Sequence, residues 1–384
     1  MNPFSFISQA LEQRQAVGRL RILKSIRPLV GSKVILEGKE LLNLSSNDFL
    51  GLSEHPLLGK RAGEFAFEYG AGSRASRLVT GNITPFCDLE KKIATLKQMP
   101  ASLIFNAGYQ ANASLVGAFV TKKSLVLMDR LSHNSLIQGA TASGARVKRF
   151  LHNDLTDLER QLKSATGNYD RILVITESVF SMDGDLADLQ AIQKLATEYG
   201  AMFFVDEAHA TGVMGESGMG LSVGQNIDLV MGTFGKGMGS FGAYLCCSTE
   251  VREYLINFCA GFIYTTALPP QVLGAIDAAL ELVPTMEIER QHLREISQYF
   301  RDSAQGLGYD TGESASQIVP IILGSEEATM AAQEFLLKKG FLAVAIRPPT
   351  VEIGKSRLRF AFNSRITKND IIKLLEALDE FRKK

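Results

Sequence analysis

A lysine set among four glycines, Thr233-Phe-Gly-Lys-Gly-Met-Gly-Ser-Phe-Gly242, is the stretch best equipped for chemistry. Lysine is strongly hydrated and glycine gives up side-chain packing, so Lys236 in this neighbourhood does not build a core. Bare backbone on both sides would let a planar ligand approach. A partly desolvated amine attacks carbonyls, which makes Lys236 a candidate for Schiff-base chemistry. A surface Gly-Lys turn is the plainer alternative.

Upstream, Ala201-Met-Phe-Phe-Val-Asp-Glu-Ala-His-Ala-Thr-Gly212 places an apolar run directly before Asp206. Such a run reads as a buried strand of a parallel sheet, and ligands of open α/β sheets bind beyond the carboxyl ends of these strands. Asp206 would then face the site. A carboxylate there can pair with a pyridinium nitrogen, and a Schiff-base lysine with an acid partner is the pairing that pyridoxal phosphate requires. His209 could reach the same ring. A helix or turn cap is the structural alternative for Asp206.

The elements that must position these groups follow from periodicity. Apolar runs at Leu103–Phe105, Ser124–Met128, Arg146–Phe150, Ile172–Thr176, Met202–Val205, Leu229–Met231 and Ala243–Cys247 alternate with helical spacers at Ser135–Ser143, Leu155–Ser164 and Leu186–Tyr199. Alternation of this kind predicts a doubly wound α/β domain with a mostly parallel sheet. Residues 3 to 24 read as a helix bearing Arg14, Arg19, Arg21 and Lys24. A smaller α+β unit is expected near the C-terminus. Its strands lie near Ile318–Leu323, Leu342–Ile346 and Leu358–Phe362, its helices at Glu326–Lys339 and Lys368–Lys384, the last opened by a capping box at Thr367–Asp370. The division expected is an N-terminal arm over 1–45, a large domain over 46–284 and a small one over 285–384.

Composition narrows the partners. Forty-one basic and 41 acidic side chains cancel over 384 residues, which implies neither nucleic acid nor an anionic membrane. Cys87, Cys246, Cys247 and Cys259 lack C-x-x-C spacing and read as buried thiols in a reducing, cytoplasmic setting. The first residues lack a basic start and apolar block, so no signal peptide is expected. The uncharged stretch Ala101–Thr121 is interrupted by Asn106, Gly108, Gln110 and Asn112, which argues against a bilayer span.

Rival motifs fail on context. Gly70-Ala-Gly-Ser-Arg-Ala75 fits a dinucleotide fingerprint but lacks the preceding strand and the later acid. Asp206-Glu-Ala-His209 spells a helicase-type ATPase motif, yet no phosphate loop accompanies it. The five histidines show no metal-ligand spacing, so no metal is expected. Asn106-Ala-Gly-Tyr-Gln110, between a short strand and an alanine-rich helix, offers backbone amides to a phosphate, or is an ordinary strand-helix turn. His133, in Leu131-Ser-His-Asn-Ser135, could stack on a flat ring or be a plain surface residue.

Six motifs in order resemble the α-oxoamine synthases, pyridoxal phosphate enzymes of fold type I, the aspartate aminotransferase-like fold. They are Ser46-Asn-Asp-Phe-Leu-Gly-Leu52, Ser76-Arg-Leu-Val-Thr-Gly81, Leu131-Ser-His-Asn-Ser135, Ser178-Val-Phe-Ser-Met-Asp-Gly-Asp185, Asp206-Glu-Ala-His-Ala-Thr-Gly212 and Thr233-Phe-Gly-Lys-Gly237. The resemblance implies that Lys236 carries the cofactor as a Schiff base and Asp206 keeps the pyridine nitrogen protonated. By the same likeness His209 and Ser181 serve the ring hydroxyl, and His133 stacks on the ring. Gly108, Tyr109 and Thr233 hold the phosphate, with Thr265 or Thr266 adding a contact across a homodimer interface. Asn47 and Arg359 are similar in position to residues that bind the amino-acid carboxylate.

Within the family, Ala345-Ile-Arg-Pro-Pro-Thr-Val351 resembles the branch that condenses L-alanine with pimeloyl-CoA or pimeloyl-acyl carrier protein in biotin synthesis. Arg21, Arg347 and Thr350 are the positions this implies for the acyl substrate. Sister enzymes using glycine, glycine C-acetyltransferase and 5-aminolevulinate synthase, are the alternative, and a catalytically silent scaffold of the same fold is another. Arg74-Ala75, where the family often has paired glycines, and Phe86, where it often has histidine, depart from the pattern. Both departures are expected near the cleft and bear on acyl-chain preference.

Overall fold

The computed structural model describes residues 3–384. The chain divides into two compact units. The larger comprises Asn47–Ser181 and Asp185–His292; the smaller takes the chain up to Ser46, Met182–Gly184 and Leu293–Lys384.

The smaller unit begins with helix α1 (Ser5–Ala16) and strands β1 (Ile26–Leu29), β2 (Lys33–Leu36) and β3 (Lys39–Asn43). The helix expected to reach residue 24 stops at Ala16. Gly18 takes φ 65°, and the amides of Gly18 and Arg19 turn back onto the carbonyls of Gln15 and Arg14, so the helix closes there.

In the larger unit follow α2 (Pro56–Tyr69), α3 (Thr84–Leu96), β4 (Ala101–Phe105), α4 (Gly108–Phe119), β5 (Ser124–Asp129), α5 (Asn134–Ala142), β6 (Arg146–Phe150), α6 (Leu155–Ala165), β7 (Arg171–Glu177), α7 (Leu189–Glu198), β8 (Met202–Asp206), β9 (Leu229–Thr233), β10 (Ala243–Cys247), α8 (Thr249–Phe258), α9 (Ala260–Ile263) and α10 (Pro270–Leu282). Its strands form one seven-stranded sheet in the order β4-β10-β9-β8-β7-β5-β6. β5 to β9 pair in parallel, whereas β10 runs antiparallel to both neighbours.

Both sheet faces are covered, which is why the inner strands read as apolar runs, whereas the edge strand β6 carries Arg146, Lys148 and Arg149. Leu125, Leu127, Val174, Phe203 and Val205 enter one core; Val126, Met128, Leu173, Ile175 and Phe204 enter the other. The segment before Gly70 is helix α2, so the fingerprint-like Gly70–Ala75 has no strand to follow. In α3 the cap residue is Ile83, and Pro85 occupies the first turn. Cys246, Cys247 and Cys259 are buried, and burial pushes the Cys247 thiol up to about 12; Cys87 is only half-buried.

The chain then completes the smaller unit through α11 (Glu287–Gly306), β11 (Ile318–Gly324), α12 (Glu326–Lys338), β12 (Phe341–Leu342), β13 (Val344–Ile346), β14 (Ser356–Ala361) and α13 (Lys368–Arg382). β12 pairs in parallel with β3, so residues 26–46 share a sheet with the C-terminal segment. The single strand expected over Leu342–Ile346 is two, because β13 leaves that sheet and pairs antiparallel with β14. The capping box at Thr367 and Asp370 is formed.

Candidate active site

At one edge of the large sheet β4, β5, β7, β8 and β9 end at Phe105, Asp129, Glu177, Asp206 and Thr233. The turns that follow carry Gly108 and Tyr109, His133, Ser181, His209 and Lys236, so the sheet gathers groups that are far apart in the chain.

Asp206 is buried, and both of its oxygens are engaged. Asn112 Nδ2 donates to Oδ2 at 2.7 Å and the Ala208 amide to Oδ1 at 2.8 Å. Asn112 also donates to Ser135 Oγ at 3.0 Å, and that hydroxyl lies 2.8 Å from His133 Nδ1. A hydrogen-bonded chain therefore runs from the acid to the imidazole. Sequence reasoning missed Asn112 and Ser135. The one sequence signal was an asparagine in an alanine-rich apolar helix, read only as an obstacle to membrane insertion; its burial appears in the structure.

Glu177, paired in register with Asp206, was missed as well. Its Oε1 accepts the His133 amide at 2.6 Å. Burial pushes its carboxyl well above the usual range, and the neighbouring charge of Asp206 adds to this. His133 is held below its ordinary value by desolvation of the ring, with Lys236 acting in the same sense against the opposing pull of Asp206. The ring is thereby kept as neutral imidazole.

Lys236 is half-buried, and its Nζ lies 2.7 Å from His209 Nε2. Phe49 packs against His209 with ring centroids 5.9 Å apart, bringing the Asn47-Asp48-Phe49 segment beside the same turn. The glycines flanking the lysine answer mainly to backbone packing. A Cβ on Gly237 would lie 2.6 Å from the Thr211 carbonyl oxygen, one on Gly212 2.8 Å from the Gly237 carbonyl carbon, and one on Gly239 2.5 Å from Leu52. Only Gly235 has room, its nearest neighbour being Thr233 Oγ1 at 3.6 Å. The expectation of bare backbone held open for a ligand is corrected accordingly.

Helix α4 opens at Gly108 without a side-chain cap and without an acid in its first turn, so its leading amides point outward unanswered by the chain's own side chains. Tyr109 stands edge-on to His133 at 6.4 Å. The Thr233 hydroxyl donates to the Gly242 carbonyl at 2.8 Å and accepts from the Gly235 amide at 3.2 Å. Asn106 Nδ2 donates to Thr265 Oγ1 at 3.1 Å and to the Thr266 carbonyl at 2.5 Å, tying that segment to the start of α4. Ser181 is half-buried in the turn after β7. A buried carboxylate, an amine beside an imidazole, a second neutral imidazole and an uncapped helix start are the donor set that a phosphorylated pyridine aldehyde needs. The residues fit pyridoxal phosphate.

Arg21, Arg347, Thr350 and Arg359 belong to the smaller unit. Arg21 Nη2 donates to Thr350 Oγ1 at 3.1 Å, and Arg347 donates to the Gly18 carbonyl. Arg359 is buried on β14, where burial pushes its pKa down to about 10, leaving it cationic at neutral pH. Phe86 is not a cleft residue: it is 1 % exposed, and the Arg77 guanidinium covers its ring at 4.1 Å. Arg74 is exposed with φ 63°, and its Nη2 donates to the Tyr69 carbonyl at 3.1 Å. Among the described residues no cluster of His, Cys, Asp or Glu side chains is arranged to hold a metal ion.

Comparison with known proteins agrees with this geometry. Residues 39–378 match the family described as aminotransferase class I and II. A putative 8-amino-7-oxononanoate synthase of Desulfosudis oleivorans is 51% identical over 384 residues, covering 100% of both chains. Among solved structures, serine palmitoyltransferase from S. paucimobilis with a bound PLP-myriocin aldimine superposes with a TM-score of 0.92 at 25% identity, over 99% of this chain and 97% of that one. The 8-amino-7-oxononanoate synthase of Francisella tularensis gives 0.77 at 26% identity, over 89% of this chain and 98% of that one.

Proposed function

The chain belongs to the aminotransferase class I and II family, and from that we propose that it is a pyridoxal phosphate-dependent C-acyltransferase that makes 8-amino-7-oxononanoate for biotin synthesis. L-alanine and a pimeloyl thioester, of coenzyme A or of acyl carrier protein, are joined, and carbon dioxide and the free thiol leave. The observation that carries this reading is the amine of Lys236 at the turn bearing Asp206 and His209, in a chain half identical to such a synthase.

Bound pyridoxal phosphate supplies the electron sink that stabilises the negative charge left on the alanine α-carbon. Lys236 would hold the cofactor through its amine and, when free, is the base placed to take the alanine α-proton. Overall, the alanine α-carbon gains the acyl group as the thioester C–S bond breaks and the thiol leaves, and loss of carbon dioxide with return of a proton to the α-carbon completes the balance. Asp206, fixed by Asn112 and the Ala208 amide, keeps the pyridine nitrogen protonated. His133 would stack on the ring, its imidazole held below its ordinary value by desolvation. His209 and Ser181 serve the ring hydroxyl. The amides of Gly108 and Tyr109, with Thr233, hold the phosphate, and Thr265 or Thr266 adds a contact from a second copy. Asn47 and Arg359 are assigned to the alanine carboxylate. Arg21, Arg347 and Thr350 are assigned to the acyl substrate, where a guanidinium meets a carboxylate or phosphate.

A homodimer is part of this reading. Tyr264, next to Thr265, is 85 % exposed and Val79 74 %, apolar surface of the kind that an interface covers. No helix among the described residues is long and apolar enough to cross a membrane, and the cytoplasm is the proposed location.

The test is turnover with paired substrates. Product and carbon dioxide should form from L-alanine with a pimeloyl thioester, and not from glycine with acetyl or succinyl thioesters. A preference for glycine would move the chain to a sister activity, and no turnover with either pair would overturn the reading. Light scattering checks the dimer.

A further inference from the structure

Beneath the turn that carries Asp206 and His209 lies an ion pair with no exposure at either side chain, Lys97 with Glu207. Lys97 follows α3 and meets Glu207 110 positions along the chain. Its Nζ also donates to the Met219 carbonyl at 2.6 Å and to Ser222 Oγ at 2.8 Å. Glu207 accepts the Ser222 amide at 2.9 Å and the Ser222 hydroxyl at 2.6 Å. Gly220 is bare where a Cβ would lie 2.3 Å from Glu207 Oε2. Every donor and acceptor of the pair is directed.

The backbone of Glu207 is fixed just as closely. Its amide donates to the Met231 carbonyl at 2.7 Å, and its carbonyl accepts the amides of Ala210 and Thr211 at 3.0 and 2.9 Å. The Thr211 hydroxyl donates to that carbonyl at 3.0 Å and lies 3.1 Å from the Tyr244 hydroxyl. The turn then ends at Gly212, which rests on Gly237, the neighbour of Lys236.

Two charges taken wholly out of water stabilise a fold no better than well-packed apolar residues of similar volume. A pair held by directed hydrogen bonds does specify one backbone geometry. We propose that Lys97 and Glu207 are positioning residues for the reaction: the pair sets the turn from Asp206 to Gly212 and, through Gly212 against Gly237, the place of the Lys236 amine beside His209. This rests on the reading of Lys236 and Asp206 as the cofactor-holding groups.

The experiment uses the intact protein with pyridoxal phosphate and the variants Glu207→Gln, Lys97→Met and the double variant. The readouts are the midpoint of the pH titration of the visible cofactor-lysine band and the retention of cofactor on dialysis. The titrating amine is faced by His209 and acts electrostatically on His133 and Glu177, on which Asp206 also acts. A positioning role moves the midpoint by about one pH unit. It also weakens retention roughly tenfold, the lower end of what outer-shell partners do for bound metals. If the single variants fail to fold because a lone charge is left buried, the double variant carries the test, since it removes both charges at similar volume. A folded double variant that titrates and retains cofactor like the unaltered protein would overturn the inference, leaving the pair as packing. A Lys236→Ala control that keeps the band would overturn the site reading itself, a failure distinct from the first.

Discussion

His152 Nε2 lies 2.7 Å from Asp185 Oδ2, and the other face of the same imidazole is closed by Asp129, whose Oδ1 is 2.9 Å from Nδ1. Phe180 stands perpendicular to the ring at 4.4 Å. Asp129 also accepts the Leu131 amide at 2.8 Å, and Asp185 closes the turn that contains Ser181. One imidazole thus ties the loop leading to His133 to the loop of Ser181.

Burial alone would lower the pKa of His152, but the hydrogen bonds and charges of Asp129 and Asp185 outweigh it and raise the value to about 10. A folded-state value above the ordinary one stabilises fully below about 6.5 and is lost as pH rises through about 10. Urea unfolding from about pH 6 to about pH 11 should show stability falling progressively between about 6.5 and 10 and levelling above that. His152→Gln should remove that dependence and cost about 3 kcal/mol at neutral pH, since two buried carboxylates are left facing each other. A variant as stable as the parent, with the same alkaline profile, contradicts the assignment.

Glu177 offers a comparison of two substitutions. Its carboxyl is driven toward the protonated form, so Glu177→Gln keeps size and the acceptor for the His133 amide and should cost less than about 1 kcal/mol. Glu177→Ala strands that amide and leaves a cavity, for a loss of roughly 3 kcal/mol with loosening of His133. Denaturant midpoints check both; equal losses would mean that the charged carboxylate matters.

Asp206→Asn keeps an oxygen for one of the two donors and abolishes the charge. Under the proposed mechanism kcat should fall by about 10² to 10³, the scale for removing one preorganised electrostatic partner. A steady-state assay with alanine and a pimeloyl thioester measures it. A loss confined to KM would sink the assigned role.

The contact between glycines predicts a third class of failure. Gly212 has φ 93°, and a Cβ there meets Gly237 backbone. Gly212→Ala should cost about 2 kcal/mol and weaken cofactor retention together, because the turn can relieve the clash only by pushing the lysine's neighbour away. Thermal melts with and without cofactor test this; a variant destabilised equally in both states argues for a purely structural clash.

The inner strands of the large sheet were legible because they are apolar runs between breakers; the edge strand β6, with Arg146, Lys148 and Arg149, is the exception. The observed ends at Asp206 and Thr233 lie one and two residues beyond the apolar runs read at Met202–Val205 and Leu229–Met231. What escaped is what depends on distance in the chain. Asn112 meets Asp206 from 94 positions away, and nothing local to either residue announces the partner. The pairing of Lys97 with Glu207 is equally hidden, since burial cannot be read from a single polar residue. The bare residues around Lys236 suggested ligand access because their true neighbours, Thr211, Gly212 and Leu52, lie in other motifs. Helix α1 was drawn too long because charge density hid the stop at Gly18, and Phe86 was placed by likeness in a cleft although Arg77 seals it in the core.

The antiparallel course of β10 has a bearing on how the amine moves. Thr233 and Ala243 are paired in register, the Phe234 amide reaches the Gly242 carbonyl at 2.9 Å, and the Ser240 and Gly239 amides close onto Phe234 and Lys236 at 2.8 and 2.9 Å. Lys236 therefore rides on a stapled hairpin tip, both of whose legs are woven into the sheet. Under the proposed mechanism, each exchange between holding the ring and fetching a proton falls to torsions of the four methylenes, so the tempo of that swing is set within the side chain.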